Sequence, residues 1–468
     1  MSNTETEDNF REHLGNQTTS GKRIWLYPKI IKGRLYKYRT YLSWFYLLFF
    51  FTGPFIKING YPLLLLNVID RQFVIFGQPF WPQDFHFLVL LLITAIVFIV
   101  LFTVIYGRVF CGWVCPQTIF LEMVFRKIEN VIEGNSIKQK KLDAMPWNRE
   151  KITKKTLKFF AFFGVSFLIS NTFLAYIIGW ENLWSKISGP FMDSLTALFG
   201  LLVFTAVFYL VFAKVRELVC IMICPYGRLQ GVMLDPNSMV VAYDDERGEP
   251  RGKIRRNQDQ SEKGDCVDCN LCVDVCPTGI DIRHGTQLEC VNCTACMDAC
   301  DSVMSKIKKP KGLIRIDSVN NIRNKTGFRF TPRIISYTIV MVLLMGVFTY
   351  LLASRTDVEA HVLRIPGQTF FEEPNEIISN IYNLEMVNKS FDDKRFSIQP
   401  ITPGFELVVA DSNASLQANS EMKRVFLLKK SKQSIEGYKQ PVAVQIFIDN
   451  RPLRKFETTF FGPIVIKE

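Results

Sequence analysis

Histidine is scarce in this chain and cysteine is confined. Its 468 residues include four histidines and twelve cysteines, and every cysteine lies between Cys111 and Cys300. So few imidazoles exclude a multihaem protein, whose irons draw on axial histidines. A thiol-free stretch after Cys300 excludes a disulfide-stapled domain there. The first forty residues lack a cleavable signal, because an acidic tip (MSNTETEDNF) gives way to a basic stretch. No nucleophile–base pair or phosphate-binding loop stands out. GRLQG at 227–231 is not a dinucleotide fingerprint, so no nicotinamide or flavin site is expected.

What the chain has in excess is apolar surface: 48% hydrophobic residues and 40 Phe. That excludes an ordinary soluble protein of this length. The net charge of +12 does not point to nucleic acid, because the Lys and Arg crowd beside the apolar runs, as on cytoplasmic flanks of a membrane protein. Five runs, 41–58, 85–106, 157–179, 192–213 and 334–353, approach the ~20 residues that cross a bilayer. Their charges sit only at edges such as Lys57 and Asp193, and Ser166, Ser170 and Asn171 in the third suit helix contacts. Residues 22–39 hold seven Lys/Arg and 107–158 eleven, whereas 59–84 holds only Arg71 and 180–191 only Lys186. The positive-inside bias puts the N-terminus, 107–156 and 214–333 in the cytoplasm, and five crossings put 354–468 outside. That tail alternates in strand fashion (IYNLEMVNKS, RFSIQP, FELVVADS, KRVFLLKK, VAVQIFID, KFETTFFG) and predicts a β-sandwich, immunoglobulin-like in size but without the Cys…Trp…Cys signature.

Residues 266–300 carry C-x2-C-x2-C-x3-C twice: Cys266, Cys269, Cys272, Cys276, then Cys290, Cys293, Cys296, Cys300. This is the run of bacterial two-cluster ferredoxins, whose fourth cysteine crosses to the other cluster. It assigns one 4Fe–4S cluster to Cys266, Cys269, Cys272 and Cys300, and the other to Cys276, Cys290, Cys293 and Cys296. Zinc ribbons lack the third cysteine of each run, and a cytoplasmic location disfavours disulfides. Pro277 follows the first run, but Asp301 stands where the second would have proline. Asp268, Asp274 and Asp298 adjoin ligands; they either face solvent or make reduction harder.

A second motif occurs twice at the ends of spans, in RVFCGWVCPQTIF (108–120) and ELVCIMICPYGRL (217–229). Cys111 with Cys115, and Cys220 with Cys224, are spaced i to i+4, which shares one helical face, and Pro116 or Pro225 should end or bend the helix after them. Both spans run outside to inside, so all four thiols emerge on the ferredoxin side. Packed inert cysteines, a soft-metal site favouring Cu(I) and a third iron–sulfur cluster all fit this spacing.

Beyond these motifs, the stretches NGYPLLLLNVIDRQFVIFGQPFWPQDF, FCGWVCPQTIFLEMVFRKIENVIEG, KLDAMPW and CPYGRLQGVMLDPNSMVVAYDDERGEPRG, with the double ferredoxin run and IYNLEMVNK, resemble the CcoG family, also called FixG or RdxA. These are cytochrome c oxidase accessory proteins, membrane-bound polyferredoxins. The paired C-x3-C-P motifs are also similar to those of quinol-oxidising NapH-type ferredoxins. The resemblance implies a multi-domain membrane protein of the bacterial inner membrane. An α-helical bundle of about five spans would carry an inserted two-cluster ferredoxin-like domain and a C-terminal all-β immunoglobulin-like sandwich. The expected division is a cytoplasmic tail at 1–36, a four-span membrane domain at 37–240, the ferredoxin-like domain at 241–333, the fifth span at 334–353 and a periplasmic domain at 354–468. It further implies assembly of cbb3-type oxidases by an oxidoreductase that reduces Cu(II) to Cu(I). Cys111, Cys115, Cys220 and Cys224 would handle copper beside two 4Fe–4S clusters, with oxidase subunits or copper chaperones and transporters as partners and a cytoplasmic electron donor. Two rivals are a quinol-oxidising membrane ferredoxin and a non-catalytic assembly scaffold. Other features have plainer readings. His86 either touches copper or packs at the interface. Asp70, Arg71 and Asp84 are either a docking patch or solvated loop charges, residues 1–20 are expected to be disordered, and the sequons at Asn388 and Asn413 carry no weight in a bacterial-type protein.

Overall fold

The apolar runs become long helices. The computed structural model describes residues 23–463 apart from 59, 68–71, 82–83, 254–262, 326–329, 368, 375, 410–414 and 436; Asp70, Arg71, Asn413 and residues 1–20 lie outside it. Four helices are long and apolar enough to cross a membrane among the described residues: Phe85–Tyr106, Arg149–Ile178, Leu195–Val215 and Pro332–Ala353. Their large apolar side chains face outward, as with Leu92, Ile96, Phe199, Leu343 and Tyr350. Outward apolar chains suit lipid rather than water. Ser170 supplies the expected helix contact, with its hydroxyl 2.8 Å from that of Thr205. Asn171 instead donates to the Phe167 carbonyl of its own helix.

The first expected span, 41–58, comes out differently. Its helix runs Arg34–Thr52, starts earlier, includes Arg34, Lys37 and Arg39, and ends at a 3-10 turn, Gly53–Phe55. Pro54 gives the physical reason, since it cannot donate the next helical hydrogen bond. By length and composition this helix is not among the four.

The chain divides into two compact units. One comprises the N-terminal segment through Ile56, Pro62–Ile69 and Leu88–Phe348. Within it the cysteine-rich region hangs from a two-stranded antiparallel ribbon, Val240–Tyr243 with Ile314–Asp317. Two short helices, Leu271–Asp274 and Ala295–Lys306, carry later cysteines of the two runs, Cys272 in the first and Cys296 with Cys300 in the second.

The second unit comprises Lys57–Tyr61, Asp70–Phe87 and Thr349–Glu468. It is the expected sandwich. One sheet orders Glu406–Val409, Glu421–Ser431, Ile377–Asn388 and Val358–Arg364, with Phe371–Glu373 also on Ile377–Asn388. The other orders Ser415–Leu416, Lys394–Pro400, Lys439–Ile448 and Arg451–Phe461. Alternate residues of both sheets, among them Tyr382, Leu384, Phe426, Val444 and Phe460, make one core, as period-two strands with one buried face require. Asp84 is not a solvated loop charge. It is 1% exposed and held between Arg355 at 2.8 Å and Lys389 at 2.5 Å. The His86 ring lies 4.2 Å from that of Phe87. Asn388 is fully buried, its amide donating to three carbonyls.

Candidate metal and electron-transfer site

The eight clustered cysteines line two cavities. Cys266, Cys269, Cys272 and Cys300 line one, with Tyr243 and Met304. Cys276, Cys290, Cys293 and Cys296 line the other, which Cys272 also reaches. The fourth cysteine of each run therefore sits in the cavity of the opposite run. A repeated turn produces the cradle. Asp268 and Asn270 in the first run, and Asn292 and Thr294 in the second, are all left-handed, with φ of 49°, 57°, 51° and 63°. Asp and Asn tolerate that conformation better than most side chains. Asp268 is thus a turn residue, and it pairs with Arg283 at 2.7 Å. Asp274 pairs with Lys29 at 2.5 Å.

Several of these thiols are deeply buried. Burial pushes Cys290 up to about 12 and Cys293 up to about 11, with Cys296 raised as well. Four thiolates gathered in an apolar cavity need a cationic partner. The buried Asn292 amide nitrogen, between Cys290 and Cys293, also has no hydrogen-bond partner. No three His, Cys, Asp or Glu side chains are close enough to hold a single ion among the described residues. Cavities ringed by four cysteines suit a larger polynuclear core, so the donor set fits iron–sulfur clusters.

The C-x3-C-P motifs fold alike, and not as expected. Neither pair lies on one continuous helix. Cys111 belongs to a short helix, Val109–Trp113; Cys115 is extended (ψ 125°), and Pro116 opens the next helix. In the second copy Cys220 lies in a π-turn, Val219–Ile223; Cys224 is extended (ψ 111°), and Pro225 opens Pro225–Met233. The residue before proline is driven out of the α region, and proline is well placed at a helix's first position. Four residues before the first cysteine of each copy the backbone is left-handed, at Gly107 (φ 58°) and at Arg216 (φ 56°). Glycine adopts that conformation freely. Arg216 is pinned in it, 2% exposed with both Glu129 oxygens at 2.7 and 3.1 Å.

The two copies interlock. The Cys111 thiol donates to Gln230 Oε1 at 3.1 Å, and the same oxygen accepts from Arg108 Nε at 3.1 Å. Gln230 Nε2 donates to Thr103 Oγ1 at 3.2 Å. Burial pushes the Cys111 thiol up, opposed by the Arg108 guanidinium and reinforced by Cys115 and Cys224. Cys220 is pushed up to about 12, by burial first and then by Cys115, with Thr118 opposing. Cys111 and Cys220 each feel Cys115 and Cys224, and Cys220 also feels Cys111.

Cys111 connects this group to the second cavity. Cys111 packs with Val291 and Cys293. A Cβ on Gly112 would lie 2.5 Å from the Val291 carbonyl oxygen and 2.8 Å from Cys293 Cα. Only glycine lets the two backbones come this close. Gly112, Arg108 and Gln230 were not singled out by the sequence reading; the glycine's position, directly after the first cysteine of the motif, is the signal that could have found it.

Relatives match about four fifths of the chain. The protein RdxA of Cereibacter sphaeroides is 33% identical over 401 residues, 80% of this chain and 81% of its own. The chain belongs to the FixG/RdxA family. The nitrogen fixation protein FixG of Rhizobium meliloti is 31% identical over 422 residues (81% of this chain, 79% of its own). RdxB of Cereibacter sphaeroides is 32% identical over 410 residues (82% and 83%). A 4Fe–4S dicluster domain model matches 215–319, a 4Fe–4S binding domain model matches 87–133, and the immunoglobulin-like fold at the C-terminus of FixG matches 348–463. This FixG/RdxA member is an iron–sulfur electron-transfer protein, with apolar helices suited to a membrane and an immunoglobulin-like C-terminal domain.

Proposed function

We propose that this protein is a cupric reductase of the bacterial inner membrane that supplies Cu(I) during assembly of cbb3-type cytochrome c oxidase. One observation carries the reading: Cys111–Gly112 lies against Val291–Cys293, so one member of the four-thiol group adjoins a cluster cradle. Cys266, Cys269, Cys272 and Cys300 would hold one 4Fe–4S cluster and Cys276, Cys290, Cys293 and Cys296 the other, supplying one-electron carriers when bound. Cys269, exposed at the surface, marks where a cytoplasmic donor can approach. Cu(II) is the substrate at Cys111, Cys115, Cys220 and Cys224, which must draw closer than they stand here to grip a single ion; it takes one electron and leaves as Cu(I) for an oxidase subunit, copper chaperone or transporter. Thiolates favour the cuprous product. Binding must displace protons from Cys111 and Cys220, which burial holds protonated, so uptake strengthens as pH rises.

The topology belongs to the proposal. With Arg34–Thr52 as an additional crossing, the C-terminal domain is periplasmic and the cysteine-rich region cytoplasmic. Two groupings support it. Asp70–Phe87 falls in the same unit as the C-terminal domain, and Leu88–Phe348 in the same unit as the basic N-terminal segment.

A second reading has an observation in its favour: the 4Fe–4S binding domain match at 87–133 includes Cys111 and Cys115. On that reading the four thiols hold a third cluster. Metal analysis with electron paramagnetic resonance on purified protein separates the two. About eight iron per chain with separately bound copper supports the reductase, and about twelve iron without copper supports the third cluster. Replacing Cys111 and Cys115 with Ala should abolish copper binding and cupric reduction while leaving the eight iron in place. Wild-type copper binding and reduction in that variant would defeat the reductase reading.

A further inference from the structure

Arg39 is a buried cation with no ion pair among the described residues. It lies on the Arg34–Thr52 helix and is 4% exposed, and its Nε and NH2 find no hydrogen-bond acceptor. A guanidinium cannot shed its proton to escape burial, and an uncompensated buried charge is strongly destabilising. The carboxylates near it are engaged. Glu122 pairs with Arg126 at 2.5 Å, and Asp298 accepts the backbone N–H groups of Leu35 and Tyr36 at 3.2 and 2.7 Å. Arg39, Glu122, Asp298 and Ala295 line one cavity, and Ala295 immediately precedes Cys296. Val275 and Pro277, on either side of Cys276, line the same cavity. A 4Fe–4S core held by four thiolates is dianionic when oxidised and trianionic when reduced, which is the anion Arg39 lacks.

We propose that Arg39 is the electrostatic counter-ion of the cluster held by Cys276, Cys290, Cys293 and Cys296, and that it raises that cluster's reduction potential. The inference rests on the cluster ligation given above. It also supplies a direction. The cation near the other cavity, Arg283, is already neutralised by Asp281 at 2.6 Å and Asp268 at 2.7 Å. An unneutralised Arg39 therefore favours the electron on the buried cluster, beside Cys111, over the one with the exposed Cys269. Burial alone would push the other way, because low dielectric disfavours added negative charge. Arg39 offsets that penalty from outside the ferredoxin sequence.

The test is a redox titration of full-length protein in detergent, followed by electron paramagnetic resonance with iron content measured in parallel. Arg39→Gln should lower the potential of one cluster signal by at least a tenfold change in its reduction equilibrium, about 59 mV for a one-electron couple. The other signal should stay unmoved, and Arg39→Lys should restore most of the shift. Glu122→Gln, which removes a negative charge from the same cavity, should shift the same signal upward and covers the case where Arg39→Gln does not load iron. Loaded Arg39→Gln protein with both potentials unchanged overturns the inference alone, as does an unmoved signal in Glu122→Gln. Wild-type protein without reducible iron overturns the ligation and the inference with it.

Discussion

The Asp298 carboxylate accepts the backbone N–H of Tyr36 at 2.7 Å. Its other oxygen takes Leu35 N–H at 3.2 Å, so a residue lying between two cluster ligands in sequence caps the Arg34–Thr52 helix. Helix N-termini leave N–H groups unsatisfied and carry a partial positive charge, and both are answered here by one carboxylate. The contact welds the first apolar helix to the cysteine-rich region. It also spends the Asp298 charge on a helix dipole instead of on the clusters.

Asp298→Ala should therefore cost about 1–2 kcal/mol, as loss of a strong N-cap does. Hydrogen exchange at residues 34–37 should rise while iron content holds, and Asp298→Asn should recover most of the loss. Unchanged exchange in the alanine variant would show that the cap does not anchor the helix.

The crossed lining of the two cavities gives a prediction about pairing. Cys276→Ser and Cys290→Ser, from different sequence runs, should eliminate the same cluster signal in electron paramagnetic resonance. Cys266→Ser and Cys300→Ser should eliminate the other. If instead Cys276→Ser and Cys266→Ser removed one signal together, each run would hold its own cluster.

Gly112 tests the junction between the cradle and the four thiols. Alanine there would meet backbone atoms of Val291 and Cys293 below 3 Å, and backbone cannot turn aside as a flexible side chain can. Overpacking of this kind costs about 1–3 kcal/mol. On the cupric reductase proposal, Gly112→Ala should retain about eight iron yet reduce bound Cu(II) more slowly than wild type. A wild-type rate with full iron would mean the electron does not pass through this contact.

The large-scale plan was legible because each part has a strong period. Apolar runs of about twenty residues, a doubled ferredoxin spacing and two-residue alternation after 377 each admit few alternatives. The first apolar run misled at its end because Pro54 sits inside it, and hydropathy alone does not weigh a missing N–H donor. Asp84 and Asp298 read as solvated charges for a different reason. Their partners, Arg355 and Lys389 for one and Leu35 and Tyr36 for the other, lie hundreds of residues away. The i to i+4 reading of Cys111 with Cys115 assumed an unbroken helix, although the following proline forces the second cysteine out of the α region. Arg39 and Arg216 left no local trace, since a charged residue near an apolar run looks the same whether it faces water or the protein interior.

The last prediction concerns the Arg216–Glu129 pair, which holds the second C-x3-C-P copy in its strained turn. Burial pushes the Glu129 carboxyl up, but Arg216 and Lys158 outweigh it and leave it below the usual carboxylate range. A group whose pKa falls on folding contributes stability above its unfolded value, about 4.3 for Glu. That contribution disappears as pH drops through the folded value. Glu129→Gln should therefore cost about 3–5 kcal/mol at pH 7, since it leaves a buried guanidinium without its anion. As the wild type is acidified through its depressed folded-state value its own Glu129 takes up a proton, and the gap between the two proteins should close. Unfolding midpoints of both in detergent, measured from neutral to acid, check this. A gap of constant size across the series would mean that Arg216 is held in its left-handed conformation by packing, with Trp25 stacked at 4.9 Å from its guanidinium, and not by the Glu129 charge.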